Sequence, residues 1–140
     1  MRFVVLLAAI IVGLSTLLLI WHMQNGYRTL AIGRYRYRLQ VVSNSAARAK
    51  GLGGRTSLPA NQGMLFVYPQ QQTLCFWMKD MRFSVDMIWA DAQQQVTHIA
   101  ADIAPQTYPK QFCAPGEYVI ELRAGQVQAN RLSTGQYLQL

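Results

Sequence analysis

A mainly β domain of the α+β kind, mostly antiparallel, with six or seven strands and one or two short helices behind one N-terminal transmembrane helix, is what this 140-residue chain predicts. Three observations predict it. Residues 3–23 carry no charge and are rich in Leu, Ile, Val and Ala; about 20 such residues at ~1.5 Å rise cover the ~30 Å hydrocarbon layer. Further on, apolar and polar residues alternate, most strictly in Arg34-Tyr35-Arg36-Tyr37-Arg38-Leu39-Gln40-Val41 and in Glu117-Tyr118-Val119-Ile120-Glu121-Leu122-Arg123. A period of two marks a strand with one wet and one buried face. Finally, Gly, Pro, Asn and Asp separate the apolar runs at short intervals, which leaves room for turns and not for long helices.

Taken in order, residues 1–23 form the anchor or a signal sequence. The run ends on Leu19-Ile20-Trp21-His22-Met23-Gln24, which lacks the small residues of a cleavage site and offers Trp21 as an interfacial anchor. Residues 24–33 read as a linker and 34–140 as a single domain. Its first strand, over residues 34–41, should turn Tyr35, Tyr37, Leu39 and Val41 inward and an Arg row outward. Ser43-Asn44-Ser45 supplies N-cap candidates for a two-turn helix over 46–50, stopped by Gly51, Gly53 and Gly54. After a loop at 58–63, an apolar strand over 64–68 should end at Pro69, with a polar turn at 70–72. Two strands follow at 73–79 and 83–90, bent near 80–82. A hairpin turn at 91–94 leads to a strand over 95–101. Residues 103–116 contain Pro105, Pro109 and Pro115 and read as a long covering loop. The alternating strand 117–123, a helical turn opened by Gly125 and a last strand over 136–140 complete the chain.

Charge is unevenly placed. Of the net +7, Arg28, Arg34, Arg36, Arg38, Arg48, Lys50 and Arg55 form an acid-free run, while from residue 56 onward five basic groups face six acidic ones. The basic run suits anionic lipid headgroups; no nucleic-acid-reading motif accompanies it, so no nucleic acid is expected. The positive-inside rule would place the C-terminal side in the cytoplasm. The short basic N-terminus and the two cysteines favour export instead. The expected location is the cell (inner) membrane, single-pass, with the domain on the periplasmic or extracellular side.

The chemistry-bearing residues gather around Leu74-Cys75-Phe76-Trp77-Met78-Lys79-Asp80 and Phe83-Ser84-Val85-Asp86-Met87-Ile88-Trp89. The candidate constellation is Arg48, Arg55, Trp77, Lys79, Asp86 and Glu121. Asp86 lies between Val85 and Met87, and Glu121 between Ile120 and Leu122, so each carboxylate lies on the opposite face from its apolar neighbours. Either that face is a polar groove, or the carboxylate is buried and paired with an Arg, since a buried unpaired carboxylate is costly. Three readings stay open: a structural ion-pair network, a ligand groove with Trp77 as platform, or an acid–base pair of Asp86 and Glu121 in a small hydrolase. His98 has no second His in the domain, there is no Cys-x-x-Cys, and the glycines at 51–54 lack the Lys-Ser/Thr of a phosphate loop. No metal and no cofactor are therefore expected. In an exported domain Cys75 and Cys113 would form a disulfide that pins the covering loop; two buried thiols are the alternative.

Several blocks in order resemble the bacterial and archaeal domain of unknown function family numbered 192. They are Ala47-Arg48-x-x-Gly51-Leu52-x-x-Arg55, Leu58-Pro59, Gly63-Met64-Leu65-Phe66, Cys75-Phe76-Trp77-Met78-Lys79-Asp80, Val85-Asp86-Met87-Ile88 and Tyr118-Val119-Ile120-Glu121-Leu122-x-Ala124-Gly125. The resemblance runs from about Tyr37 to Leu140 and implies a partly open, barrel-like β domain, often behind an export signal or anchor. It implies no activity. Departures are Gly53, where the family often has Met, the Ala92-Gln93-Gln94 turn, and Gln136. The expected role is a membrane-anchored module binding a small ligand or an envelope glycan, peptide or protein. The hydrolase and a purely structural envelope protein are the alternatives.

Overall fold

In the computed structural model, which describes residues 26–32 and 35–140, six strands make one mixed sheet. They are β1 (Tyr27–Ile32), β2 (Tyr35–Val42), β3 (Gln62–Trp77), β4 (Val85–Ala90), β5 (Val96–Ile103) and β6 (Gln111–Arg123), in the order β1-β2-β3-β6-β4-β5. Two short helices, α1 (Ser45–Lys50) and α2 (Gln126–Asn130), and a 3-10 turn at Pro105–Thr107 complete it. The sheet is not closed. The membrane span expected over residues 3–23 lies outside the described residues; among those described, no helix is long and apolar enough to cross a membrane.

Local chemistry accounts for most elements. In β2, Tyr37, Leu39 and Val41 are buried while Arg36 and Arg38 face solvent; Tyr35, expected inside, is exposed at the strand end. Asn44 caps α1, its side chain accepting from the Ala47 N–H at 2.8 Å. Gly51 ends the helix at φ +49°, a backbone region that glycine enters without a Cβ clash. All six residues of β4 are buried, as in a strand covered on both faces. The Asp91 carboxylate accepts from the N–H groups of Gln93 and Gln95 and thereby fixes the β4–β5 turn.

Five expectations are corrected or refined. Residues 27–32, expected as linker, are β1: it pairs antiparallel with β2 and buries Leu30 and Ile32. The sheet is mostly antiparallel, as expected, in four of its five strand pairs, but it is mixed, because β2 and β3 run parallel; α1 is the crossover that such a pair requires. Pro69 does not end its strand. β3 continues past it through a register shift between Val67 and Gln72, a bulge that accommodates a residue without an N–H. The Pro-rich segment is no covering loop: after the short 3-10 turn it enters β6, which pairs with β3 from Gln111 onward. The last strand reduces to isolated bridges, Ala31 with Gln139 and Gln95 with Tyr137, by which the C-terminal tail touches both edges of the sheet.

The core has two faces. On one, Leu39, Leu65, Ile88, Ile120 and Leu122 pack beneath α2 (through Val127) and Leu138 of the tail. On the other, Met64, Phe66, Met87, Trp89 and Val119 pack with Leu52 and Leu58 from the α1–β3 connection and with Met78. The Trp89 N–H reaches across β6 to the Leu74 carbonyl at 3.0 Å, and its ring meets Phe76 edge-on. Gly63 is where β3 passes closest to its neighbours. A Cβ there would lie 2.5 Å from the Glu121 carbonyl and 2.7–2.8 Å from the Leu122 and Leu39 side chains. Gly63→Ala is expected to cost about 2–3 kcal/mol, read from urea denaturation midpoints; a loss under 0.5 kcal/mol would show that the backbone can yield.

Candidate functional site

Glu121 sits in β6 opposite Met64 of β3 and Met87 of β4, which places its side chain on the sheet face that carries Trp89. Only 4 % of it is exposed. Burial alone pushes its carboxyl up from 4.5 to about 8: among the described residues no cation and no hydrogen-bond donor offsets the lost hydration. Most of its population is therefore the neutral acid at pH 7. It contributes to the lining of a cleft of about 950 Å³.

Around the cleft stand α1 and the turn after β3. Arg48, from the last turn of α1, donates to the carbonyls of Ser43 and Val67, and its guanidinium lies 4.5 Å from the centre of the Tyr68 ring. Burial pushes the Tyr68 hydroxyl up from its ordinary value, with Arg48 opposing and Glu121 adding. On the other side Asp80 adopts φ +58°, a conformation Asp tolerates better than most residues. The Gly54 N–H donates to its carbonyl at 2.9 Å. This brace holds the Lys79-to-Arg82 turn against the glycine segment that follows α1. Trp77, 48 % exposed, lines the cleft with Lys79, Asp80 and Arg82.

Of the six candidates, the structure brings together Arg48, Trp77, Lys79 and Glu121. Arg55 lies apart and donates to the Gln40 side chain. Asp86 is fully buried on the other face of the sheet, since its partner in register is Leu122 while that of Glu121 is Met87. Its two oxygens accept from the N–H groups of Asp102 and Val127, both at 2.8 Å. It ties the β5 irregularity and the start of α2 to β4. Neither buried carboxylate takes the Arg partner expected for it: Asp86 uses backbone N–H groups, and Arg48 is occupied by carbonyls. The acid–base pair is thus split across the sheet.

Cys75 and Cys113 are joined. They face each other in the β3–β6 register, so the bond staples two strands and does not hold a loop over Trp77. Both cysteines are exposed, and Cys75 reaches the cleft wall.

The family model described as Uncharacterized ACR, DUF192, matches residues 28–140. The chain belongs to this family. The DUF192 match begins inside β1, in keeping with β1 as part of the domain. Two solved structures share the fold. A protein from Sinorhizobium meliloti 1021, provisionally named as a transcription regulator, is 24 % identical with a TM-score of 0.76, over 83 % of this chain and 95 % of its own. A protein of unknown function from Novosphingobium aromaticivorans DSM 12444 is 26 % identical with a TM-score of 0.76, over 81 % of this chain and 85 % of its own. No curated protein matches.

Tyr68, Lys50 and Arg82 of this DUF192 domain were not among the sequence candidates, yet all three line the cleft. The alternation Met64-Phe66-Tyr68 was a usable signal for Tyr68. It shares a strand face with Met64, and Met64 is opposite Glu121. That register is set only when β3 and β6 pair.

Proposed function

We propose that this DUF192 chain is a membrane-tethered binding module, displayed on the periplasmic or extracellular side of the cell membrane, that takes a small ligand into the cleft over Glu121. One observation carries the reading: a carboxyl group 4 % exposed, with no partner among the described residues, in the wall of a cleft of about 950 Å³. Burying such a group costs free energy, and uncompensated groups of this kind in concave sites gather where ligands bind. Trp77 adds an exposed aromatic surface beside it.

The tether rests on the charge-free run over residues 3–23. The β1–β2 pair follows it closely and exposes Arg28, Arg36 and Arg38, the last stacked 3.9 Å over the Tyr27 ring; cations so placed favour an anionic membrane surface. An exposed disulfide supports the outward orientation, since such bonds persist in oxidising compartments.

Two measurements test the proposal. Alkylation of intact cells should modify Cys75 and Cys113 only after reduction; modification without reduction, with the inner membrane permeabilised, would overturn the outward placement. Thermal melts of the full chain in detergent, screened against envelope-derived small molecules, should reveal compounds that raise the Tm. Trp77→Ala and Lys79→Ala should abolish that rise while leaving unliganded stability within about 0.5 kcal/mol. Ligand-induced stabilisation that survives both changes would place the site elsewhere.

A further inference from the structure

Building on the reading of the cleft as a ligand site, we propose that its ligand is a small oxyanion, a carboxylate or a phosphate, and that Glu121 receives it as the neutral acid, donating a hydrogen bond from its own carboxyl. Charge and geometry argue for this together. Arg48, Lys50, Lys79 and Arg82 line the cleft against a single other acid, Asp80. A ligand ammonium would share the cleft with four cations, whereas an oxyanion is attracted by them.

At the buried end the anion needs a donor, and a protonated carboxyl has one O–H to give. Arg48 stacks on Tyr68 and is held by two backbone carbonyls, so it serves the cleft as a fixed positive charge and not as a counter-ion for Glu121. The surroundings keep the proton in place. From β3 the titratable neighbour is Tyr68, whose hydroxyl burial holds neutral. From α1 there are Arg48 and Lys50, and from the turn after β3 Lys79, Asp80 and Arg82. β4 sets Met87 opposite Glu121 and brings no titratable side chain to this face. Burial keeps the Glu121 proton bound up to about pH 8. Beyond that point its carboxylate would oppose the bound anion, so binding is acid-favoured and Glu121 becomes a selector for ligands that accept a hydrogen bond.

The test titrates the full chain in detergent micelles with benzoate and phenyl phosphate, and with benzamide and benzylamine as uncharged and cationic counterparts. Binding is read by calorimetry and by chemical-shift changes at Trp77. Benzoate, phenyl phosphate or both should bind, and their relative affinities distinguish a carboxylate from a phosphate site. Affinity should fall about tenfold from pH 7 to pH 9, as a group titrating near 8 passes from mostly protonated to mostly ionised. Glu121→Gln retains a donor but no titration, so it should bind the anion at pH 7 and lose the pH dependence. Lys79→Ala with Arg82→Ala should weaken binding at both pH values. The inference is overturned by a wild-type affinity that is flat or rises with pH, or by Glu121→Gln keeping the fall. It is equally overturned if neither anion binds. Benzamide or benzylamine shifting Trp77 where the anions do not would remove the oxyanion and leave the ligand cleft itself standing.

Discussion

Glu121→Gln is expected to remove a fall in stability that the wild-type domain suffers between weakly acidic and alkaline pH. The folded carboxyl is raised to about 8 from 4.5, and burial is the cause. Below pH 4.5 both folded and unfolded chains hold the proton, and the group contributes no difference. Between 4.5 and about 8 the unfolded chain has released a proton that the folded chain still keeps, so unfolding is favoured progressively as pH rises. Above about 8 the native state is ionised too, and the penalty is constant. At ~1.4 kcal/mol per pH unit the window amounts to about 5 kcal/mol, a large share of a small domain's stability. Gln has nearly the same shape and does not titrate. Urea denaturation at pH 5, 7 and 9 should therefore show the two proteins nearly equal at pH 5 and the Gln variant progressively more stable, by up to that amount, at pH 9. The difference between them isolates Glu121 from the other carboxylates. Parallel stability curves would mean that the carboxyl is ionised in the folded state at neutral pH.

Asp86→Ala should act in the opposite direction. The side chain is fully buried and accepts from the Asp102 and Val127 N–H groups at 2.8 Å. Truncation leaves two donors without partners in the protein interior, at ~1–3 kcal/mol each, so a loss of about 3–5 kcal/mol is expected. Asp86→Asn keeps one acceptor oxygen and should lose roughly half of that. The damage should be local as well as global, with faster amide exchange at Asp102 and Val127 than at Ile88 or Ile120. A loss below 1 kcal/mol for the Ala variant, or exchange that rises uniformly, would show that Asp86 is not the tie between β4, β5 and α2. Together with the Glu121 result, this separates two carboxylates that look alike in the sequence: one is a structural acceptor, the other a buried acid in the wall of a cleft.

Much of the fold was legible because it depends on neighbours in sequence. Alternation located β2 and the second half of β6, and Asn44 and Gly51 bracketed α1 by capping chemistry that spans a few residues. The Asp91 turn was readable for the same reason. The errors lie where partner strands decide. β1 is a six-residue run beside an apolar span, and only its pairing with β2 makes it a strand and not a linker. Pro69 reads as a stop because proline lacks an N–H, but the register shift between Val67 and Gln72 removes the need for one at that point. The parallel β2–β3 pair was implicit in a helix lying between two strands, a signal that strand-by-strand reading passes over.

The amino-acid sequence alone determined the residue types available to the cleft, the apolar run ahead of the domain, the local strand and helix periods and the family blocks; these rest on side-chain chemistry and short spacing. It also marked Asp86 and Glu121 as carboxylates in apolar strands. What they do was decided by tertiary structure. The β4–β6 register sets Asp86 against Leu122 and Glu121 against Met87, and because side chains alternate along a strand, that one-residue offset sends them to opposite faces. On one face α2 and β5 supply N–H donors. On the other, α1 and the turn after β3 leave a cleft, and Glu121 meets it without a partner among the described residues.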